Sequence, residues 1–401
     1  MGIKKCHHAR NTVIMINYGK QDISDDDVNS VVAVLRSDFL TQGPAVPNFE
    51  KSVQHYCSVD YALAVNSATS ALHIALKALD VSENDYVWTS PNSFVASANC
   101  ALYCNANIDF VDIDPDTFNM CTQALEEKLI QASKQGVLPK VVIPVHFAGQ
   151  PCEMSKIKQL SLEYNFYIVE DASHAIGAKY PTSFVGSCEF SDITVFSFHP
   201  VKIITTGEGG MVVTRSTDLF EKLKLYRTHG VTRDQSFLSK IDPAPWYYEQ
   251  LALGFNYRMT DIQAALGCSQ MSRLNYFIET RNNIARAYDE LLVDLPIFLP
   301  KVKDKILSAF HLYVIRLKLE EISPKTHRQV FESLRKRGIG VNVHYIPIHT
   351  QPYFKKLGFD WGDFPISENY YERAISIPIY PSLKEHEQAE VVKSIKEVLK
   401  P

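Results

Sequence analysis

Residues 61–79 read YALAVNSATSALHIALKAL, and this stretch contains the unit from which the predicted fold is built. Its first five residues form an apolar run that ends at polar residues, which is typical of a short buried strand. Ser67 then stands where a helix cap is favoured, and Leu72, Leu76 and Leu79 recur with helical spacing. The stretch therefore predicts a strand that leads directly into an amphipathic helix.

The same alternation continues through the first two-thirds of the chain. Further apolar runs, most of them followed by a helical pattern, are YVWTS, IDFVDI, VVIPVHF, FYIVED, DITVFSF and GGMVVT. Strands separated by helices indicate an α/β fold in which a large, mainly parallel sheet lies between two layers of helices. Sheets of this kind bind ligands at the carboxyl ends of their strands.

The pattern changes in the last third of the chain. Residues 231–246 are polar, interrupted by proline and without clear periodicity, which predicts a long functional loop. Thr260 and Gln263 have the spacing of a capping box, and they open a helical pattern that runs toward Leu292. A strand, a helix, a second strand over residues 339–348 and a closing helix follow. We expect a large domain over residues 1–258 and a smaller α+β C-terminal domain over residues 259–401.

Composition and charge exclude several classes of function. The chain has 401 residues, with 41 Lys and Arg against 45 Asp and Glu and a formal charge of −4, so we expect no nucleic-acid partner. No apolar run is long enough for a signal peptide or a membrane span. The eight cysteines are scattered and lack the spacing of a metal site. These features predict reduced thiols, no bound metal, no membrane partner and a cytoplasmic location.

The common nucleotide and hydrolase motifs are missing from the sequence. There is no GxGxxG after a strand, no GxxxxGK(S/T), no GxSxG and no HExxH. A dinucleotide-dependent dehydrogenase, a P-loop NTPase, a serine hydrolase and a zinc protease therefore lose most of their support.

Three polar segments lie at predicted strand ends instead. Residues 66–70 (NSATS) join a strand to a helix N-terminus that suits a phosphate, although an ordinary helix cap is the alternative. Residues 170–174 (EDASH) place two carboxylates and an imidazole after an apolar run, and a helix cap with a solvated acid is again the alternative. Residues 196–210 (FSFHPVKIITTGEGG) carry Lys202 between Val201 and Ile203, where it is either a buried reactive amine or a surface charge.

Together the three segments form a set with one chemical use. A phosphate seat, a carboxylate and an amine at the ends of strands of one sheet are what pyridoxal phosphate requires. The amine holds the cofactor aldehyde as a Schiff base, and the carboxylate keeps the pyridine nitrogen protonated. The sequence therefore predicts a pyridoxal-phosphate enzyme.

At these residues the chain resembles the DegT/DnrJ/EryC1/StrS family of pyridoxal-phosphate-dependent sugar aminotransferases. The matching stretches run nearly from end to end and are NYGKQDIS, FLTQGPAVPNFE, NSATSALH, EDASHAIGA, FSFHPVKIITTGEGG, NYRMTDIQAALG, VNVHYIPIH and ISIPIYP. The resemblance implies the aspartate-aminotransferase (type I) fold and a homodimer with shared active sites. Residues 1–14 fall outside the resemblance and are expected to be an extension.

The resemblance also implies roles for individual residues. Lys202 would form the Schiff base, Asp171 would pair with the pyridine nitrogen and His174 would lie near the ring hydroxyl, and these three are the expected catalytic residues. Further cofactor contacts would come from Phe94 on the ring face and, around the phosphate, from Ala68, Thr69, Ser197 and Asn256 of the partner subunit. Substrate contacts would come from Tyr18, Asp38, Phe39, Leu40, Thr41, Asn342, Val343, His344 and Tyr345, together with Ala68, Ser197 and Asn256. Without the resemblance, Phe94 also fits a core residue and Tyr18 a surface aromatic.

Within the family, the stretches TSPNSFVASANCALYC, FSFHPVK and VHYIPIH are most similar to the aminotransferases of pseudaminic acid biosynthesis. This similarity implies transfer of an amino group from L-glutamate to C4 of UDP-2-acetamido-2,6-dideoxy-β-L-arabino-hex-4-ulose. The products would be 2-oxoglutarate and the 4-amino sugar, with pyridoxamine phosphate as the intermediate form of the cofactor.

Three alternatives to this function remain open at the level of the sequence. One is a 4-aminotransferase for a bacillosamine, perosamine or viosamine type of sugar, which would share the lysine and phosphate motifs. A second is a sugar dehydratase, although related dehydratases carry histidine at the position of Lys202 and use an iron–sulfur cluster. The third is a regulator without enzymatic activity on the same fold. The presence of Lys202, Asp171 and the phosphate segment together favours an aminotransferase.

Overall fold

The computed structural model describes residues 15–241 and 244–400, so the expected extension over residues 1–14 lies outside the described residues. The helices are α1 (Asp25–Leu35), α2 (Ala45–Cys57), α3 (Ala68–Ala78), α4 (Ala96–Tyr103), α5 (Thr122–Gln135), α6 (Met154–Tyr164), α7 (Thr217–Arg227), α8 (Asp261–Ser272), α9 (Leu274–Leu292), α10 (His327–Lys336), α11 (Pro352–Lys355), α12 (Pro365–Tyr371) and α13 (Glu385–Leu399). The strands are β1 (Tyr61–Val65), β2 (Tyr86–Thr89), β3 (Asn107–Phe110), β4 (Val141–Ile143), β5 (Tyr167–Asp171), β6 (Ile193–Ser197), β7 (Gly210–Thr214), β8 (Val231–Thr232), β9 (Glu249–Gln250), β10 (Ile297–Phe298), β11 (Tyr313–Leu317) and β12 (Ala374–Ile377).

The central sheet has the strand order β1-β7-β6-β5-β4-β2-β3 among the described residues. Neighbouring strands are parallel except where β7 pairs with β1 and β6, so β7 runs against the other strands of this sheet. The predicted mainly parallel sheet is thereby confirmed. The carboxyl ends of β1, β5 and β6 lie at the same edge, together with the beginning of β7.

Helices cover both faces of the central sheet. On one face, apolar side chains of α2, α5, α6, α8 and α9 pack against the sheet and include Phe49, Leu129 and Phe277. On the other face, α3, α4 and α7 contribute side chains such as Leu72, Ala98 and Leu223. The strands carry apolar side chains into both layers, which explains why their sequences are nearly continuous apolar runs.

A second, smaller core lies in the last third of the chain. β10, β11 and β12 form an antiparallel sheet, and it packs with α9, α10 and α13 around residues such as Tyr288, Ile375 and Val391. The amino-terminal segment joins this unit, because the N–H of Gly340 donates to the carbonyl of Ile16 over 2.7 Å. The expected division at residue 258 stays a prediction.

The helix that was expected to run from Thr260 to Leu292 is interrupted. The capping box of Thr260 and Gln263 is present, but α8 ends at Ser272 and α9 begins at Leu274. Between them, the N–H of Arg273 donates to the carbonyls of Gln270 and Met271. The guanidinium of Arg273 also binds the carboxylates of Asp22 and Asp27, each over 2.5 Å. These contacts anchor the break beside α1, and no local sequence pattern specifies them.

The prediction of a continuous strand over residues 339–348 is wrong. The segment makes one bridge from Ile339 to Ile16 and another from Asn342 to Ser376. The N–H of Tyr345 then donates to the side chain of Asn92 over 3.3 Å, so it is not available to a strand ladder. The alternating pattern places side chains on two sides of an irregular segment that reaches the central sheet.

The predicted loop over residues 231–246 is mostly irregular where the structure describes it, and β8 pairs with β9 at its base. Among the described residues, no helix combines the length and apolar character that crossing a lipid bilayer requires.

Candidate active site

The site forms where strands of the central sheet end. Gly210, at the start of β7, is in register with Val65 at the end of β1 and with Ser197 at the end of β6. Asp171 is the last residue of β5 and is in register with Val195 of β6. The three segments that the sequence singled out are therefore neighbours at one edge of the sheet.

A cavity of about 590 Å³ opens at this edge, which is within the range of small-molecule sites. It lies between the central sheet and the segment that precedes α11. Its lining residues are Tyr18, Asn66, Ser67, Ala68, Thr69, Leu72, Ser93, Phe94, Ala96, Ser97, Val145, Asp171, Ser173, His174, Ser197, His199, Val201, Lys202, Glu208, His311, His344 and Tyr345.

One wall of the cavity is the beginning of α3. Ser67 caps this helix, since its hydroxyl accepts the N–H of Ser70 over 3.1 Å. The N–H groups of Ala68 and Thr69 belong to the first turn, where helix geometry provides no acceptor, so they can bind an anion from the cavity. A side chain at Gly210 would lie 2.6 Å from the carbonyl of Ser67, and glycine is therefore required for β7 to pass this turn. The cap by Ser67 therefore leaves the N–H groups of Ala68 and Thr69 free for an anion.

Lys202 projects into the same cavity. Burial lowers the pKa of its amine to about 8, although the charge of Asp171 opposes that shift. A substantial share of the amine is therefore neutral near physiological pH, and a neutral amine is a nucleophile and a base. Of the two interpretations that the sequence left open, the reactive amine agrees with this position and a surface charge does not.

The carboxylate of Asp171 is held on two sides. Its Oδ2 accepts the hydroxyl of Ser97 over 2.7 Å, and its Oδ1 accepts the backbone N–H of Ser173 over 3.1 Å. The carboxylate is almost completely buried but lines the cavity, so it can take a further donor from a ligand.

A cluster of aromatic rings also lines the cavity. His174 and the hydroxyl of Tyr345 are 3.1 Å apart, and the ring centres of His174 and His311 are 4.4 Å apart. Burial, with Lys202 nearby, lowers the pKa of His174 well below its usual value, and the same causes lower that of His344 to about 4. These imidazoles are therefore neutral at physiological pH and can each both donate and accept a hydrogen bond.

The residues present fit pyridoxal phosphate. Buried polar atoms at the cavity wall, Asn66 Oδ1, His174 Nδ1 and His311 Nδ1, find no hydrogen-bond partner among the described residues. Unpaired buried polar groups are costly and point to a polar ligand or water. The amine of Lys202, the carboxylate of Asp171 and the N-terminus of α3 match the aldehyde, ring nitrogen and phosphate of this cofactor in chemical type. The ring of Phe94 is 60% exposed although it lies at the cavity, so it does not occupy the core position that was its alternative.

Other expected site residues lie away from this cavity. Asp38, Phe39, Leu40 and Thr41 are exposed and follow α1, and Asn256 is exposed and pairs with Thr228. Asn342 and Val343 precede the lining residues His344 and Tyr345 but do not line the cavity themselves. Within one chain, the structure brings together the expected cofactor residues other than Asn256.

Several lining residues were not expected from the sequence. Ser93, Ser97, His199, Glu208 and His311 all line the cavity. Ser93 and Ser97 have helical spacing within SFVAS, which was the only local signal for the pair. His311 stands just before β11 of the three-stranded sheet, and only the fold places it beside His174.

Comparison with known proteins places this geometry in a family context. The profile of the DegT/DnrJ/EryC1/StrS aminotransferase family matches residues 21–396. The UDP-4-amino-4,6-dideoxy-N-acetyl-β-L-altrosamine transaminase of Campylobacter jejuni is 38% identical over 372 residues, which are 92% of this chain and 93% of that protein. The spore coat polysaccharide biosynthesis protein SpsC of Bacillus subtilis is 35% identical over 381 residues, which are 94% of this chain and 95% of that protein.

Solved structures share the fold over almost the whole chain. PseC from Helicobacter pylori, an aminotransferase involved in the biosynthesis of pseudaminic acid, matches with a TM-score of 0.86 and 32% identity over 96% of this chain and 99% of that one. The PLP form of the sugar aminotransferase Spr1654 from Streptococcus pneumoniae matches with a TM-score of 0.85 and 29% identity, over 96% and 98% of the two chains. The expected type I aminotransferase fold is confirmed by these matches.

Proposed function

The chain belongs to the DegT/DnrJ/EryC1/StrS aminotransferase family, and from that premise we propose that it transfers the amino group of L-glutamate to C4 of UDP-2-acetamido-2,6-dideoxy-β-L-arabino-hex-4-ulose. The coarser statement, a PLP-dependent nucleotide-sugar aminotransferase, follows from the family itself. The identity of the sugar is the part that needs a test.

One observation carries the proposed chemistry. The amine of Lys202 and the carboxylate of Asp171 open into the same cavity, beside the N-terminus of α3. In the proposal, Lys202 binds the aldehyde of PLP and Asp171 binds the ring nitrogen. Ala68, Thr69 and Ser197 bind the phosphate, Phe94 covers the ring and His174 donates to the ring hydroxyl.

PLP, when bound, supplies an electron sink for the charge that develops on the reacting carbon. Lys202 performs the proton transfers in both halves of the reaction. As a neutral amine, Lys202 would take the proton from Cα of glutamate in the first half, and in the second half it would deliver a proton to C4 of the sugar. Because the pKa values of His174 and His344 are lowered, these two imidazoles are weaker bases than Lys202, whose pKa is about 8.

The names of relatives support the substrate. The Campylobacter jejuni enzyme is named for the 4-amino sugar, and PseC is described as an aminotransferase of pseudaminic acid biosynthesis. Each is similar to this chain over more than nine-tenths of its length. In the proposal, Tyr18, His344 and Tyr345 contact the sugar from the small-domain side of the cavity. SpsC is about as similar overall, so other 4-keto sugars are the outcomes against which the proposal is tested.

The test is a panel of nucleotide-linked 4-keto-6-deoxy sugars with L-glutamate. Formation of 2-oxoglutarate is measured for each sugar, and NMR assigns the configuration at C4 and C5 of each product. We expect the highest kcat/KM for the UDP-linked β-L-arabino sugar and an amino group at C4 of the altrosamine product. A higher kcat/KM for a bacillosamine, perosamine or viosamine precursor would overturn the substrate, and no 2-oxoglutarate with any sugar would overturn the reaction.

The proposal includes a homodimer in which each site takes Asn256 of the partner subunit. Asn256 is exposed and lies away from the cavity of its own chain, and the neighbouring Leu253 is 80% exposed. Trp246 and Leu251 add to this exposed apolar surface. Burial against a second copy would remove these side chains from water.

Mixing two inactive variants tests the shared site. Lys202→Ala lacks the amine, and Asn256→Ala lacks the residue that would reach the partner. In a hybrid dimer, one of the two sites contains both wild-type residues, so random exchange of subunits should restore about a quarter of wild-type activity. No recovery from a mixture that mass spectrometry shows to contain hybrids would overturn the shared site.

A further inference from the structure

Two buried serines stand in line behind Asp171. The hydroxyls of Ser93 and Ser97 are 2.7 Å apart, and Ser97 donates to Oδ2 of Asp171 over a further 2.7 Å. Both serines are almost completely buried, as is Asp171. Short hydrogen bonds to a carboxylate are stronger than those between neutral groups, and chains of them reinforce one another.

The direction of the hydrogen bonds follows from the number of protons. An ionised carboxylate can only accept, so Ser97 donates its single hydroxyl proton to Asp171. Ser97 then has only acceptor capacity toward Ser93, and Ser93 must be the donor of that pair. Both serine hydroxyls are therefore oriented by the carboxylate of Asp171.

The position of the serines is not explained by helix capping. α4 begins at Ala96, and its cap residue Val95 makes no side-chain hydrogen bond. Serines at a helix start commonly accept backbone N–H groups, but here the hydroxyl of Ser97 binds Asp171 of β5 and the hydroxyl of Ser93 binds that of Ser97. Phe94 lies between them in the chain, so the ring proposed to cover the cofactor and the hydroxyls that hold Asp171 come from the same short segment.

We propose that Ser97, supported by Ser93, is a positioning residue that keeps the carboxylate of Asp171 aimed at the ring nitrogen of the cofactor. The inference rests on the proposed role of Asp171 and adds the residues that maintain it. With Oδ2 held by Ser97 and Oδ1 by the N–H of Ser173, the carboxylate cannot rotate without losing a hydrogen bond.

The experiment measures noncovalent binding rather than turnover. Dissociation constants are determined for pyridoxamine phosphate and for its deaza analogue, in which a carbon replaces the ring nitrogen. The ratio used is the Kd of the deaza analogue divided by the Kd of pyridoxamine phosphate. It reports only the contact between the ring nitrogen and Asp171. We expect Ser97→Ala to lower this ratio about tenfold, since a hydrogen bond to a charged group is lost, and Ser93→Ala to lower it about threefold.

Two control variants separate positioning from packing. Ser97→Thr keeps the hydroxyl and should keep most of the ratio. Ser90→Ala removes a hydroxyl of a residue that is 1% exposed and lies between β2 and α4. This hydroxyl has no hydrogen-bond partner among the described residues, so the ratio should not change. Thermal melting of each variant establishes that the protein is folded.

The outcomes distinguish this inference from the proposed function. A wild-type ratio near one would mean that Asp171 does not bind the ring nitrogen, which overturns its role and this inference together. A high wild-type ratio that Ser97→Ala leaves unchanged would overturn the inference alone. Equal weakening of both ligands in Ser97→Ala would also overturn it, because such a loss reports packing.

Discussion

Glu170 and Asp171 are adjacent carboxylates on β5, and they serve opposite faces of the sheet. The side chain of Glu170 is enclosed by donors: Nε2 of His146 over 2.7 Å, the hydroxyl of Thr194 over 3.1 Å, and the hydroxyls of Tyr180 and Ser191. Asp171 has one hydroxyl and one backbone N–H, and it faces a cavity.

The two carboxylates differ in whether a ligand can reach them. Burial would raise the pKa of Glu170, but hydrogen bonds from His146, Ser191 and Tyr180 outweigh it and keep the pKa below its usual value. His146 itself is held on both sides, since its Nε2 contacts Glu170 and its Nδ1 accepts the backbone N–H of Cys152. Glu170 thus has a complete set of partners and no access to a ligand, whereas Asp171 has room for one more donor.

The largest effect is expected at the cavity face, from Lys202→Ala. Loss of the amine removes both the attachment to the cofactor and the proton transfer, so kcat should fall about 10⁴-fold. Formation of 2-oxoglutarate measures the loss, and Lys222→Ala on the surface is the matched lysine control. Turnover within tenfold of wild type would exclude Lys202 from the chemistry.

Asp171→Asn should have the second-largest effect, and it should reduce activity far more than stability. The amide has nearly the shape of the carboxylate but lacks its charge, so kcat should fall about 10²–10³-fold. The free energy of unfolding should change by no more than about 1 kcal/mol. A large loss of stability with little loss of activity would mean that Asp171, like Glu170, serves stability rather than chemistry.

Glu170→Gln should give the reverse result. An amide cannot accept from all of the donors that surround Glu170, so the protein should lose about 3 kcal/mol of stability. Urea denaturation measures the loss, and kcat per folded molecule should stay near the wild-type value.

Glu189 provides the control for that variant, since it is an exposed carboxylate that also accepts from hydroxyls, those of Thr182 and Ser183. Glu189→Gln should change stability by no more than about 0.5 kcal/mol. Equal effects of the two substitutions would show that the enclosure of Glu170 is not what stabilises the fold.

The smallest effect is a pH dependence at the cavity face. The pKa of Lys202 is lowered to about 8, so the neutral amine becomes the major form only as the pH rises through that value. The rate at which apo-protein captures PLP covalently should therefore increase about tenfold per pH unit below pH 8 and level off above it. Stopped-flow absorbance measures the rate, with Lys202→Ala as the blank. A profile that levels off only above pH 10 would mean that burial does not tune this amine.

Much of the sheet could be predicted because its information is local. Each buried strand appears as an apolar run, and each cavity segment follows such a run directly, as NSATS follows YALAV. Parallel topology then brings these segments to one edge without any knowledge of individual contacts. The roles of Lys202, Asp171 and the N-terminus of α3 remain proposals, but their proximity follows from this principle.

Features that depend on distant partners could not be predicted. The break at Arg273 depends on Asp22 and Asp27, about 250 positions earlier in the chain, and the irregular segment around Tyr345 depends on Asn92. Likewise, His311 meets His174 only because the small sheet packs against the large one. A periodic pattern indicates which face of a segment is apolar. It does not indicate which distant polar group will interrupt the backbone hydrogen bonds of that segment.

The contact between Tyr345 and His174 affects how this enzyme can be redesigned. Tyr345 belongs to the segment proposed to contact the sugar, while His174 belongs to the segment proposed to contact the cofactor, and their polar atoms are 3.1 Å apart. A library that varies residues 342–345 to change the accepted sugar will therefore also alter the hydrogen bonding of His174. Directed evolution of specificity should retain a donor or acceptor at position 345, or randomise position 174 at the same time.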